Sequence, residues 1–313
     1  VLTASYLLAA LAVVLAWPAP VALSRARWTA RSPFTALVLW QAIALAGGLS
    51  MIGAMLVWGL EPLGSSLLDA LGGLWLLVFG LPGAAGLGIV HVFALSAAAL
   101  LGAHLVFTLL ITAAKVTRQR VRHRRLLNLL SDPSPSDPKT VVLEHEIPVA
   151  YCLPGFTGPV TVLSRGLVDA LDAEGLRAVL AHERAHLEQR HDLLVLAFES
   201  WHQALPWLPT SRLARLAVQD LIEMLADDAA LEQVSAPVLL RSLLTAATGT
   251  AEALSTPGSM AAAPTEELSS RRLKRLLSPG GMLPAPVRAG VLCLALLLLC
   301  IPTLLLVAPG LLG

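Results

Sequence analysis

The chain has 313 residues, 56% of them hydrophobic and only 14% charged, with a formal net charge of +1. That balance excludes an ordinary soluble domain and indicates a polytopic membrane protein. Its three cysteines, Cys152, Cys293 and Cys300, form neither a metal-binding spacing nor a disulfide framework.

A bilayer core of about 30 Å needs about 20 apolar residues per crossing helix, and four stretches qualify. The first, 2–23, lacks the basic start of a cleavable leader and is expected to be a retained span. The second, 34–60, carries no charge and follows the start signal Ser32-Pro33. The third occupies 86–114 and the fourth 289–307, where Pro302 predicts a kink. A shorter apolar piece, LGGLWLLVF at 71–79, could add a fifth.

Charge placement decides between four and five. Arg25, Arg27 and Arg31 mark the first loop as cytoplasmic, and Lys115, Arg118, Arg120, Arg122, Arg124 and Arg125 mark the segment after the third span likewise. An even number of crossings must separate the two, so LGGLWLLVF is expected to be re-entrant or interfacial, within an extracytoplasmic loop at about 61–85. Arg271, Arg272, Lys274, Arg275 and Arg288 place the approach to the last span inside as well. The expected organisation is three spans over 1–114, a cytoplasmic domain over 115–288, and a fourth span with a short tail over 289–313. Both termini then lie outside the cytoplasm, in a multi-pass protein of the cell membrane. The basic run beside the third span suits anionic lipid rather than nucleic acid.

Within the charged domain, SDPSPSDP at 131–138 reads as a turn-rich linker. TVVLEHE, IPVAYCLPG and GPVTVLS, between 140 and 164, read as short strands. An unpaired strand edge ahead of the next helix could bind an extended peptide through its main chain. That helix is expected over 171–190, with Asp172 as N-cap and Glu174 in its first turn. It carries His182-Glu183-Arg184-Ala185-His186.

Residues four apart on a helix differ by about 40° around the axis, so His182 and His186 present two imidazoles to one point, as Zn²⁺ requires. Glu183, on a neighbouring part of that face, is placed to take a proton from an attacking water without being a ligand itself. A third ligand must come from later in the chain. The helical pattern 211–233 offers Glu223, with Asp227 one turn on to hold a ligating histidine's second ring nitrogen. Glu199, on the intervening helix with His202, ranks second. His191 is five residues past His186, about 140° around a continuing helix, and reads as structural. Residues 250–264 read as a loop, and ELSSRRLKRLL at 267–277 as a short basic amphipathic helix leading to the membrane. His91 and His104, in the third span, receive no role.

Three spans, a domain with HExxH, a glutamate followed four residues later by an aspartate, and a last span together resemble the BlaR/MecR-type membrane metallopeptidases, antirepressors of β-lactam sensing. The most specific segments are AHERAHLEQRHD at 181–192, EMLADDAA at 223–230 and PGFTGPVTVLSRGLVDAL at 154–171. The resemblance implies a mainly α membrane protein with a cytoplasmic α+β zincin-like (gluzincin) domain. It further implies His182, His186 and Glu223 as zinc ligands, Glu183 as general base and Asp227 as support. The substrate it implies is a cytoplasmic winged-helix repressor, or the protein itself.

The best-known members carry an extracellular penicillin-binding sensor after the last span; only a few residues follow Val307 here, so acylation by a β-lactam is not expected. The pattern is also similar to HtpX-type membrane quality-control proteases. A non-catalytic receptor or scaffold is a third reading, opposed by the intact His182, Glu183, His186 and Glu223.

Overall fold

The computed structural model describes residues 2–64, 66–82, 86–134, 137–155, 158–255, 269–278 and 280–307. They form two compact units: 1–110 with 198–217 and 283–313, and 111–197 with 218–282.

The first unit begins with α1 (Leu2–Ala16) and α2 (Pro18–Arg25), separated where Pro18 cannot continue the hydrogen-bond ladder. Next come α3 (Pro33–Leu60), with Pro33 at its first turn, α4 (Leu67–Val78) and the start of α5 (Ile89–Leu130). Among the described residues, four segments are long and apolar enough to cross a membrane: Leu2–Arg25, Pro33–Leu63, Ile89–Leu127 and Ala285–Val307. They overlap the four expected spans, and the third continues past 114 as one helix through the basic residues 115–125. The LGGLWLLVF piece lies mostly in α4, whose 12 residues extend about 18 Å, short of the ~30 Å hydrocarbon core.

Small residues set the packing of these helices. A Cβ on Gly53 would lie 3.1 Å from Leu306 and 3.4 Å from Leu8, and one on Gly59 would lie 2.7 Å from Leu95. Such positions allow close approach of the helices. Ser5 Oγ donates to the Ala54 carbonyl (2.9 Å) within the cluster of Leu8, Ala54 and Val57. His104, left without a role above, donates to the Ala204 carbonyl at 3.0 Å, while the His91 ring lies 5.7 Å from that of Trp58.

In the second unit a four-stranded sheet comprises β1 (Ser131–Ser134), β2 (Asp137–Leu143), β3 (Ala150–Leu153) and β4 (Val160–Ser164), in the order β1-β2-β4-β3. β2 runs parallel to β4; β3 runs antiparallel to it and forms an edge. The expected strands are thus present. The expected linker is not wholly one, because Ser131–Ser134 pair with β2. Pro133, lacking an N–H, is compatible with pairing because β1 is the other edge.

The helices that follow are α6 (Arg165–Ala170), α7 (Ala173–Glu188), α8 (His191–Ala204), α9 (Pro209–Leu231), α10 (Ala236–Ser255), α11 (Ser270–Leu277) and α12 (Ala285–Val307). The loop expected over 250–264 is helical as far as Ser255, where α10 ends, and its remainder lies outside the described residues. Ala and Ser are tolerated in a helix end, so their abundance there did not predict a loop correctly.

Alternation along β3 and β4 sends side chains to two faces of the sheet. Leu153, Val162 and Tyr151 pack with Leu127 of α5, whereas Leu163, with Ala150 beside it, packs with Leu167 and Val179 of α6 and α7. The basic run of α5 divides accordingly. Arg120 pairs with Asp192 (3.0 Å), Arg124 donates to the Gly158 carbonyl (2.7 Å), and His123 bonds the Tyr151 hydroxyl (2.7 Å). Lys115, Arg118, Arg122 and Arg125 are exposed. Only part of the run expected to face lipid is therefore free to do so. A second apolar core joins α7, α9, α10 and α11 through Ala178, Ala181, Ala230, Leu239, Leu243 and Leu276.

Candidate metal centre

Local physics places the two histidines. The Asp172 carboxylate accepts the Gly175 N–H at 2.7 Å, capping α7 as expected. The buried face of α7 then presents His182 and Glu183, with His186 one turn on. From α9 comes Glu223.

Four ligand-type atoms converge: Nε2 of His182 lies 3.3 Å from Nε2 of His186 and 3.4 Å from Glu223 Oε2, and Nε2 of His186 lies 3.4 Å from Glu223 Oε1. Ligands held at ~2.0–2.1 Å by a tetrahedral zinc lie about 3.3 Å from one another. The two nitrogens, and the carboxylate oxygen that faces each of them, lie close to that spacing, so His182, His186 and Glu223 could hold the ion. Glu199 is not in this cluster; it lies 3.6 Å from Arg215 and accepts from Gln203. His202 lies 3.4 Å from the Ser211 hydroxyl.

The electrostatics of the pocket also fit a cation. Asp227, 1% exposed, places Oδ1 3.2 Å from Nδ1 of His182. Burial by itself would lower the His182 pKa, but Asp227 and Glu223 outweigh it through hydrogen bonds and charge and hold it well above its usual range. An environment that keeps a proton on His182 suits a divalent ion competing for the same nitrogen. Burial likewise opposes ionisation of Glu223 and Asp227. Hydrogen bonding to His182, together with the Arg272 charge, nevertheless keeps each carboxyl at about 2. For His186 burial wins, pushing it down to about 4 and leaving a lone pair available at neutral pH.

Glu183 is 7% exposed. Its burial raises its pKa, partly offset by the His182 charge and by hydrogen bonds from Cys152. Cys152 belongs to the edge strand β3, and its thiol also donates to the Glu183 main-chain carbonyl at 3.0 Å. The edge strand therefore sits directly against the helix that carries the cluster.

Sequence reasoning missed two residues here. Arg272, assigned to a helix leading to the membrane, is 2% exposed. Its Nε and Nη2 donate to the two Asp227 oxygens at 3.0 and 2.9 Å, and Nη1 lies 2.9 Å from Glu223 Oε2. Around it, Arg275 pairs with Asp228 (2.6 Å) and Arg271 with Asp220 (3.2 Å), so α11 is fastened along α9. No local signal distinguishes Arg272 from its basic neighbours; only packing does.

The second is His191. The helix was expected to continue to 190, but α7 ends at Glu188 and Arg190 adopts a left-handed backbone (φ 51°). The chain turns back, and Nδ1 of His191 arrives 3.0 Å from Nδ1 of His186.

A partly buried His–His–Glu cluster that could hold a metal ion thus lies on two helices, beside the edge of a small mixed sheet. Residues 116–248 match the family model described as Peptidase family M48, a family that includes BlaR/MecR-type and HtpX-type proteases. This similarity points to a membrane-associated metallopeptidase, and such peptidases are generally zinc enzymes. No curated protein and no solved structure matches the chain.

Proposed function

We propose that the protein is a membrane-embedded zinc endopeptidase that cleaves a cytoplasmic winged-helix repressor, itself, or both. The observation that carries the metal assignment is the convergence of both histidine Nε2 atoms and the Glu223 carboxylate at 3.3–3.4 Å. Three apolar spans before the motif and one after it support the regulatory type, and the charge asymmetry of the loops supports a cytoplasmic active site.

Zinc held there supplies a Lewis acid that acidifies water toward neutrality and polarises a peptide carbonyl. The chain's own groups do the rest. Glu183, with its raised proton affinity, accepts the water's proton and returns it to the leaving amine. Asp227 orients His182 through Nδ1, and Arg272 holds the Asp227 and Glu223 carboxylates in place. The β3 edge offers main-chain groups to an extended substrate.

The test uses full-length protein in detergent or nanodiscs. Wild type is expected to hold about one zinc per chain. Glu183→Gln is expected to keep the metal while losing cleavage of a repressor encoded beside it. Undiminished proteolysis by that variant would refute the assignment. Indiscriminate cleavage of unrelated membrane proteins would instead favour the quality-control reading, and failure of wild type to bind zinc the scaffold reading.

A further inference from the structure

We infer that His191 is a positioning residue that fixes which nitrogen of His186 carries the proton, and so keeps Nε2 of His186 open for the metal. The inference rests on the zinc reading above but concerns a residue outside the ligand set.

Three side chains form a directed line. Nε2 of His191 lies 3.0 Å from Oε1 of Gln189, and Nδ1 of His191 lies 3.0 Å from Nδ1 of His186. An amide oxygen only accepts, so Nε2 of His191 carries the proton and donates it. The neutral ring then has a bare Nδ1, which accepts from Nδ1–H of His186. That leaves the lone pair of His186 on Nε2, the atom facing His182 and Glu223. The opposite arrangement would set two acceptors against each other at Gln189 and put a proton where the ligand lone pair is required.

The imidazole end of this line is buried, whereas Gln189 at its outer end is exposed. His191 is 3% exposed, which restricts the access of water to its nitrogens. The left-handed Arg190 delivers it from the end of α7 back beneath His186. On His182, Asp227 serves the corresponding Nδ1 at 3.2 Å. The two ligating imidazoles are thus each supported from behind, one by a carboxylate and one by a neutral imidazole.

The experiment measures zinc affinity of the full chain in detergent by competition with a chromogenic chelator, for wild type, His191→Leu and His191→Asn. Leucine fills much of the volume but cannot accept a hydrogen bond, whereas the asparagine side-chain oxygen can. Loss of such a supporting partner typically weakens metal binding about 10–100-fold. His191→Leu is expected to show that loss and His191→Asn to recover most of it. The visible spectrum of the cobalt-substituted protein should change in the leucine variant alone. Equal affinity in all three proteins, or an equal fall in both variants, would overturn the inference. If wild type itself binds no zinc, it is the underlying zinc reading that fails.

Discussion

Replacing Arg272 by methionine keeps much of the stem's volume while deleting every guanidinium donor. Arg272 is 2% exposed and Asp227 1%. Two bonds of 3.0 and 2.9 Å join them, and a 2.9 Å contact joins Arg272 to Glu223. Removing one partner of a buried ion pair costs about 3–5 kcal/mol, because the surviving charge is left in a poor solvent. His182 still faces Asp227 at 3.2 Å, so the lower end, about 3 kcal/mol, is expected. At about 1.4 kcal/mol per tenfold, amides of α9 and α11 should then exchange roughly a hundredfold faster.

Hydrogen–deuterium exchange on the full chain reads this directly. Tryptophan fluorescence would not, since all seven tryptophans belong to the first unit. If the cost arises from the orphaned Asp227 charge, adding Asp227→Asn to Arg272→Met should recover part of the protection. A loss below about 1 kcal/mol, or the same loss with and without Asp227→Asn, would refute the ion-pair account.

Two further outcomes follow from the second unit. A Cβ at Gly166 would fall 1.7 Å from the Glu146 carbonyl oxygen, which is backbone and cannot swing away; Gly166→Ala should therefore cost at least about 1–3 kcal/mol, read as a lowered denaturation midpoint. Burial holds His123 below 6.5, so between pH 6.5 and that lower value the unfolded chain binds the extra proton. Its contribution to stability is present above about pH 6.5 and is lost as the pH falls. His123→Gln, which can keep a hydrogen bond to Tyr151 but does not titrate, should flatten this part of the stability profile measured from pH 8 to 5; an unchanged slope would remove His123 as its source.

Much of the candidate site was legible because it depends on short-range geometry. Helical periodicity alone puts His182 and His186 on one face, and the Asp172 cap with its Gly175 bond is settled by residues three apart. The long apolar segments follow from length and composition. Where sequence reasoning erred, a non-local or exceptional term won. Extending the helix through 190 hid His191, because a non-glycine residue in the left-handed region carries little warning in sequence. Treating 131–138 as linker missed β1, whose pairing depends on β2 folding beside it.

By itself, the sequence determined that this is a chain with membrane-length apolar helices and a helix-borne pair of histidines flanking a glutamate. Both are properties of neighbouring residues. The tertiary structure decided that Glu223 rather than Glu199 lies with the two histidines, that Arg272 is buried against it, and that His191 stands behind His186. Those choices depend on helices distant in sequence packing around a common core. Burial then makes each polar contact there consequential, because a missing partner is poorly replaced where solvent access is restricted.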